Sequence, residues 1–234
     1  MKILALETST HLAGVAVIQD GKVVAEESSL RQRSHSEVLN VFIDNCLKKS
    51  NLTLNDIDVF AVGQGPGSFT GLRVAGNAAK TLGYCYNKPL VTIDSLMLLA
   101  AMAPKSSRPV LSIINAFKNM VYLGIFDVQG DIPKYLKGPE AVPVRELSKY
   151  VDQDMTVVGD GWEAFHEFFP EQVTAKLHRT NDSHDYPQAA TLGLLAELKA
   201  KANQTLDWKS FLPLYIRASE AEEQKKGILI SPLK

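Results

Sequence analysis

The chain opens on short apolar runs separated by polar or glycine-containing breaks. Residues 3–6 form a continuous apolar run, the pattern of a strand covered on both faces. Residues 14–18 predict a second strand and residues 22–28 a third. Asp20-Gly21 lies between those two, a pair that tolerates positive φ and so suits a tight hairpin. Ser34 and Glu37 make an S-x-x-E capping box, which predicts a helix over residues 35–49. A strand over 58–62 leads into a glycine-rich turn, and a helix over 70–86 follows it. Further along, the pattern predicts a strand over 90–93, a helix over 95–102, and strands over 110–114 and 120–127. Beyond residue 130 it is weaker: a strand over 156–159, a helix over 186–201, and an extended segment over 212–216 interrupted by Pro213.

The order of elements begins again part-way along. With Leu6 set on Ile114, Glu7 falls on Asn115, Val15 on Leu123 and Val17 on Ile125. Two stretches thus share the order strand, polar turn, hairpin strand, without sequence identity. The pattern implies an α/β protein of two similar lobes, the arrangement of actin, Hsp70 and the sugar kinases. The expected boundaries are 1–104 for the first lobe, 105–220 for the second and 221–234 for a loosely held tail.

The first two helices carry unusual faces. In the first, Val38, Leu39, Val41, Phe42, Ile43, Cys46 and Leu47 cover about two-thirds of the circumference, more than one sheet can bury. In the second, Ala75, Gly76, Ala79 and Gly83 form a stripe of small side chains that lets another element approach. Either the other lobe supplies the cover, or both helices belong to a protein–protein interface.

Composition narrows the class. The 234 residues are 45% hydrophobic and 22% charged, with a net charge of -1. That is a globular balance without the basic excess of a protein that holds nucleic acid unaided. Cys46 and Cys85 are too few for a disulfide framework and read as buried thiols in helices. The N-terminal apolar run is cut by Glu7, and the most apolar later stretch contains Asp94 and is short, so a cytoplasmic chain without a membrane anchor is expected. The five histidines show no metal-ligand spacing.

The turn Gly63-Gln64-Gly65-Pro66-Gly67-Ser68-Phe69-Thr70-Gly71 bears the most specific chemistry. Ser68 or Thr70 can cap the following helix, whose N-terminus attracts anions. From these residues the turn is either a phosphate or carboxylate cradle, or a tight corner packing two elements together. It is not a P-loop, for it lacks G-x-x-x-x-G-K-[ST], and Pro66 removes the G-x-S-x-G elbow. Gly65-x-Gly67-x-x-x-Gly71 is a near miss for the dinucleotide fingerprint, with Asp94 ending the next strand. The first turn, Glu7-Thr8-Ser9-Thr10, could address phosphate and a cation, or could satisfy its own backbone. Beside the small-residue helix, the glycine turn reads as the corner that positions that helix.

Four segments together resemble the TsaB (YeaZ) family of tRNA threonylcarbamoyladenosine biosynthesis subunits: LALETST, RSHSEVL, VGQGPGSFTGLRVA and PLYIRASEAE. The resemblance covers about residues 1–125 and returns at 213–222. It implies the duplicated actin-like (ASKHA, ribonuclease H-like) fold. It also implies kinship with TsaD, which carries the catalytic metal and transfers the threonylcarbamoyl group to adenosine 37 of tRNA. TsaD holds its metal partly through an H-x-x-x-H pair; here the matching positions are His35 and Leu39. The resemblance therefore implies a non-catalytic subunit that binds TsaD through its first two helices. TsaE docks on that pair, tRNA is met only through the complex, and homodimers form on the same surface.

The residues expected at the partner surface are His35, Val38, Leu39, Phe42 and Cys46 on the first helix, and Arg73, Ala75, Gly76, Ala79 and Gly83 on the second. Thr8, Ser9, Gly65, Gly67 and Ser68 are the expected nucleotide or anion contacts, with no metal, no intrinsic cofactor, and any ATP or ADP shared at the partner interface. An autonomous enzyme, an actin-like ATPase or a metallopeptidase-like hydrolase, is the alternative. The chain departs from the family at Glu7, where D-T-S-T is common, and at 115–122, where NAFKNMVY replaces D-A-R-x-G-E-V-Y.

Overall fold

The computed structural model describes residues 1–30, 35–179 and 185–217, with the backbone alone at His35. Ser34 of the expected capping box, the side chain of His35 and the tail at 221–234 lie outside the described residues. The chain forms two compact units. The first is Met1–Leu98 with Pro187–Leu214; the second is Leu99–Tyr186 with the chain from Tyr215 on.

The first unit is built on five strands: β1 (Lys2–Glu7), β2 (Ala13–Gln19), β3 (Lys22–Ser29), β4 (Val59–Gly63) and β5 (Leu90–Ile93). Their order is β3-β2-β1-β4-β5. β1 pairs antiparallel with β2 and parallel with β4, so the central strands are buried on both faces. Asp20 and Gly21 take φ of 50° and 77°, the expected hairpin turn. Helices α1 (His35–Ser50) and α2 (Phe69–Tyr86) cover one face, against Leu4, Leu6, Val15, Val17, Phe60 and Val62. Asn87 ends α2 in the left-handed conformation and returns its N–H to the carbonyl of Gly83.

The opposite face is covered from far along the chain. Of α3 (Ser95–Met102), α4 (Gly161–Phe165), α5 (Glu171–Thr174) and α6 (Ala189–Lys201), the last packs on β1 and β2. Gly193 of α6 seats against Ile18 and Ala5 so closely that a Cβ there would overlap Ile18. The expected boundaries therefore need correction. Residues 187–214, assigned by sequence to the second lobe, group with the first unit, where α6 packs on β1 and β2 and Gly193 meets Ala5 and Ile18.

The second unit repeats the plan with β6 (Val110–Asn115), β7 (Met120–Asp127), β8 (Lys134–Pro143), β9 (Met155–Val158) and β10 (Leu177–Arg179). The sheet runs β8-β7-β6-β9-β10, which matches β3-β2-β1-β4-β5 strand for strand. β6 pairs antiparallel with β7 and parallel with β9, as β1 does with β2 and β4. Two mixed sheets of one topology, each flanked by helices, make the duplicated actin-like α/β fold. No helix among the described residues is long and apolar enough to cross a membrane.

Candidate functional site

Three regions hold the residues singled out by the sequence. In the first unit, the glycine turn and the turn after β1 interlock. The Ser68 amide donates to the Ser9 carbonyl at 2.7 Å, and the Thr8 hydroxyl donates to the Gly71 carbonyl at 2.7 Å. A Cβ at Gly67 would overlap the Ser9 carbonyl, one at Gly71 the Thr8 carbonyl, and one at Gly63 the Glu7 carboxyl. Ser68 caps α2 by accepting from the Gly71 amide at 3.2 Å. The Ser95 hydroxyl donates to Ser9 Oγ at 2.8 Å, and the Ser95 amide to the Gly65 carbonyl at 2.8 Å. Thr8, Ser9, Gly65, Gly67 and Ser68 thus meet, but as a packed joint.

Glu7 sits beneath that joint, wholly buried. Its Oε1 accepts from the Ser9 amide at 2.6 Å, while Oε2 and the Thr10 hydroxyl have no hydrogen-bond partner among the described residues. Burial pushes the Glu7 carboxyl up to about 7, against the lowering effect of its bonds to Ser9. A phosphate or divalent cation needs open donors and a readily ionised acid. Here the Thr8 hydroxyl and the Ser68 amide are engaged inside the unit, and the acid is biased toward its neutral form. The Thr8 hydroxyl and the Ser68 amide are therefore not open to a nucleotide in this arrangement.

The helical surface differs from the expected one. Leu39 and Cys46 are buried in the unit's own core, where the Cys46 thiol donates to the Val15 carbonyl at 3.4 Å. Ala75 and Ala79 have no exposed surface; Gly76 lies under Phe211, and Gly83 under Trp208 and Leu90. The small-residue stripe faces the sheet and a strap from the same unit, so these six residues leave the list of surface contacts. What α1 presents is Val41, 54% exposed, with half-buried Val38 one turn before it and half-buried Phe42 next to it in the chain. On α2, Arg73 is exposed with its guanidinium 4.3 Å from the centre of the Phe69 ring. Tyr84 and Cys85 are exposed near its end, which corrects the expectation that both thiols are buried.

In the second unit, the Asn115 amide donates to Asp160 Oδ1 at 2.9 Å. Burial raises the Asp160 carboxyl to about 6. Sequence comparison of the two halves found only neutral Asn115 opposite Glu7; the acid comes instead from the residue two beyond β9. No grouping of three or more His, Cys, Asp or Glu side chains among the described residues is arranged to hold a metal.

Residues 22–225 match the model of the family described as TsaD: tRNA N6-adenosine threonylcarbamoyltransferase. The tRNA threonylcarbamoyladenosine biosynthesis protein TsaB of Escherichia coli K12 is 31% identical over 70% of this chain and 74% of that protein. The chain belongs to the TsaB branch of the TsaD family. The TsaB of Haemophilus influenzae Rd is 28% identical over 93% of the chain and 94% of its own length. The solved structure of YeaZ from Pseudomonas aeruginosa superposes with a TM-score of 0.80 at 25% identity, covering 92% of this chain and 99% of that one. The TsaB resemblance carried by LALETST and GPGSFTGLR thus extends across both units.

Proposed function

We propose that this chain is a non-catalytic TsaB-type subunit of the cytoplasmic machinery that installs threonylcarbamoyl on adenosine 37 of tRNA. Its role is to bind a TsaD-type transferase and, through it, the TsaE-type ATPase. The observation that carries the reading is the contrast between the two surfaces. The Thr8 hydroxyl and the Ser68 amide of the glycine joint are engaged inside the unit, whereas α1 exposes Val41, with Val38 half-buried, and α2 exposes Arg73 stacked on Phe69. An apolar stripe with one stacked arginine is the composition of an interface core. In isolation the same stripe pairs two copies of the chain. Any ATP or ADP in the assembly is held jointly with a partner, and tRNA is met in the assembly.

Co-purification with the transferase tests this. Val41→Asp places a charge at an exposed position, so the fold survives while a buried interface would receive an unpaired carboxylate. Binding should fall by at least a hundredfold, and Arg73→Glu should weaken it further. Normal binding by Val41→Asp, or ATP hydrolysis by the isolated chain, would overturn the reading.

A further inference from the structure

The β6–β7 turn is a chemistry-bearing segment that this function leaves unused. Phe117, Lys118 and Asn119 take φ of 56°, 50° and 61° in succession. A left-handed backbone is costly for a residue with a Cβ and rarer still for an aromatic one. Here it is held from several sides. The Phe117 amide donates to Asn115 Oδ1 at 2.8 Å, and the Met120 amide to the Phe117 carbonyl at 3.1 Å. The Val144 amide donates to the Asn119 carbonyl at 3.0 Å, and the Arg217 guanidinium donates to the Ala116 carbonyl. Asn115 is itself anchored on Asp160. The product of this bracing is a phenyl ring left 59% exposed at the tip of a rigid turn.

The surroundings give the ring a chemical context. Lys118 is next in the chain, and Arg217 lies within hydrogen-bonding distance of the turn's carbonyls. Exposed Arg145 follows Val144, which is bonded to the turn. Asp160, at the turn's base, is buried and accepts from Asn115, while the neighbouring acid Glu146 is paired with Lys149. A presented aromatic face on a turn that carries Lys118 and is bonded to Arg217 and to Val144, the chain neighbour of Arg145, suits an unstacked nucleobase with its flanking phosphates. A purely apolar protein pocket would gain nothing from the cations.

We propose that Phe117, on a turn that carries Lys118 and is braced by Arg217, is a stacking contact for a base in a single-stranded RNA loop, with Arg145 beside the bracing Val144. The contact is used within the assembly and rests on the tRNA-modification reading above. Preorganisation explains the braced backbone, since a ring already fixed loses little entropy when a base stacks on it.

The test uses the full chain assembled with its transferase and ATPase partners, and a fluorescent anticodon stem-loop RNA followed by anisotropy. Phe117→Ala should lower RNA affinity on the order of tenfold, and Phe117→Trp should retain it. Phe117→Gly should lose the affinity as Phe117→Ala does, although it relaxes the backbone. Lys118→Ala should reduce the slope of log affinity against log salt by about 0.7. Parent-like RNA affinity in both Phe117→Ala and Phe117→Gly would overturn the proposal. So would a loss of partner binding with RNA affinity intact, which would make the turn a protein anchor. Failure of the parent chain to assemble at all would strike the function proposed above instead, so the two failures are separable.

Discussion

Glu7 illustrates how a buried acid reports on its own surroundings. Its ordinary pKa of 4.5 rises to about 7 in the fold because burial penalises the charged form. The folded chain therefore binds the Glu7 proton more tightly than the unfolded chain between those two values. This group's contribution is most favourable below pH 4.5 and is lost as pH rises through 7, by about 3 kcal/mol. Glu7→Gln should accordingly be more stable than the parent at pH 8 and should lose that advantage at pH 4.5. Urea denaturation of both proteins at the two pH values checks the difference; a constant offset would show that Glu7 is not the titrating group. At Phe117 it is the backbone that departs from what the side chain prefers. Phe117→Gly removes a Cβ from a left-handed position, and should raise the stability of the isolated chain by about 1 kcal/mol. A loss of stability on that substitution would mean that the exposed ring packs within its own unit.

At the scale of the element, α2 shows what a helical pattern can and cannot reveal. Gly63 to Gly71 was legible as a turn launching a helix, and its glycines admit the Thr8 and Ser9 carbonyls as a close-packing corner should. The stripe Ala75, Gly76, Ala79 and Gly83 was legible as a site of close approach, but its occupant was not. Phe211 and Trp208 fill it from more than a hundred residues away, and the Lys80 ammonium holds the Phe211 carbonyl at 3.3 Å. Local periodicity carries no information about such a distant strap. The same holds for α1, whose broad apolar face is divided between a core side, with Leu39, Ile43 and Cys46, and an outer side at Val41. A substitution should therefore act according to side. Ala79→Arg puts a long charged chain where no surface is exposed and should unfold the first unit, whereas Val41→Asp should leave the melting temperature within a few degrees of the parent. Circular dichroism melts distinguish the two. A folded Ala79→Arg protein would return the small-residue face to the list of exposed surfaces.

For the whole molecule, the repeated order of strands was visible because the central elements of both units are apolar runs buried on two faces. Leu6 and Ile114 are the penultimate residues of equivalent strands, and each strand is followed by an antiparallel partner. The edge strands of the second unit were harder to see. β8 contains Gly138 and Pro139, carries two register irregularities and exposes Leu136, while β10 is three residues long. Edge strands need no clean alternation, so their pattern is weak. The return of 187–214 to the first unit was invisible for a different reason: the face it covers looks complete in sequence. Ile3, Ala5, Ala16 and Ile18 belong to strands already recognised, and nothing local says which helix will lie on them. Their cover consists of α6, with Gly193 against Ile18, and with Glu197 Oε2 accepting from the Gly21 amide at 2.7 Å. A chain ending at residue 104 would expose four apolar side chains on a central sheet face, and each is fully buried when α6 is present. At about 1.5–3 kcal/mol for each large side chain so exposed, the loss is comparable with the whole stability of a small domain. The fragment 1–104 should therefore lack a cooperative urea transition and bind a hydrophobic dye. Joining 1–98 to 187–214 through a flexible linker should restore the transition. Cooperative unfolding of 1–104 alone would show that α6 decorates the first unit rather than completing it.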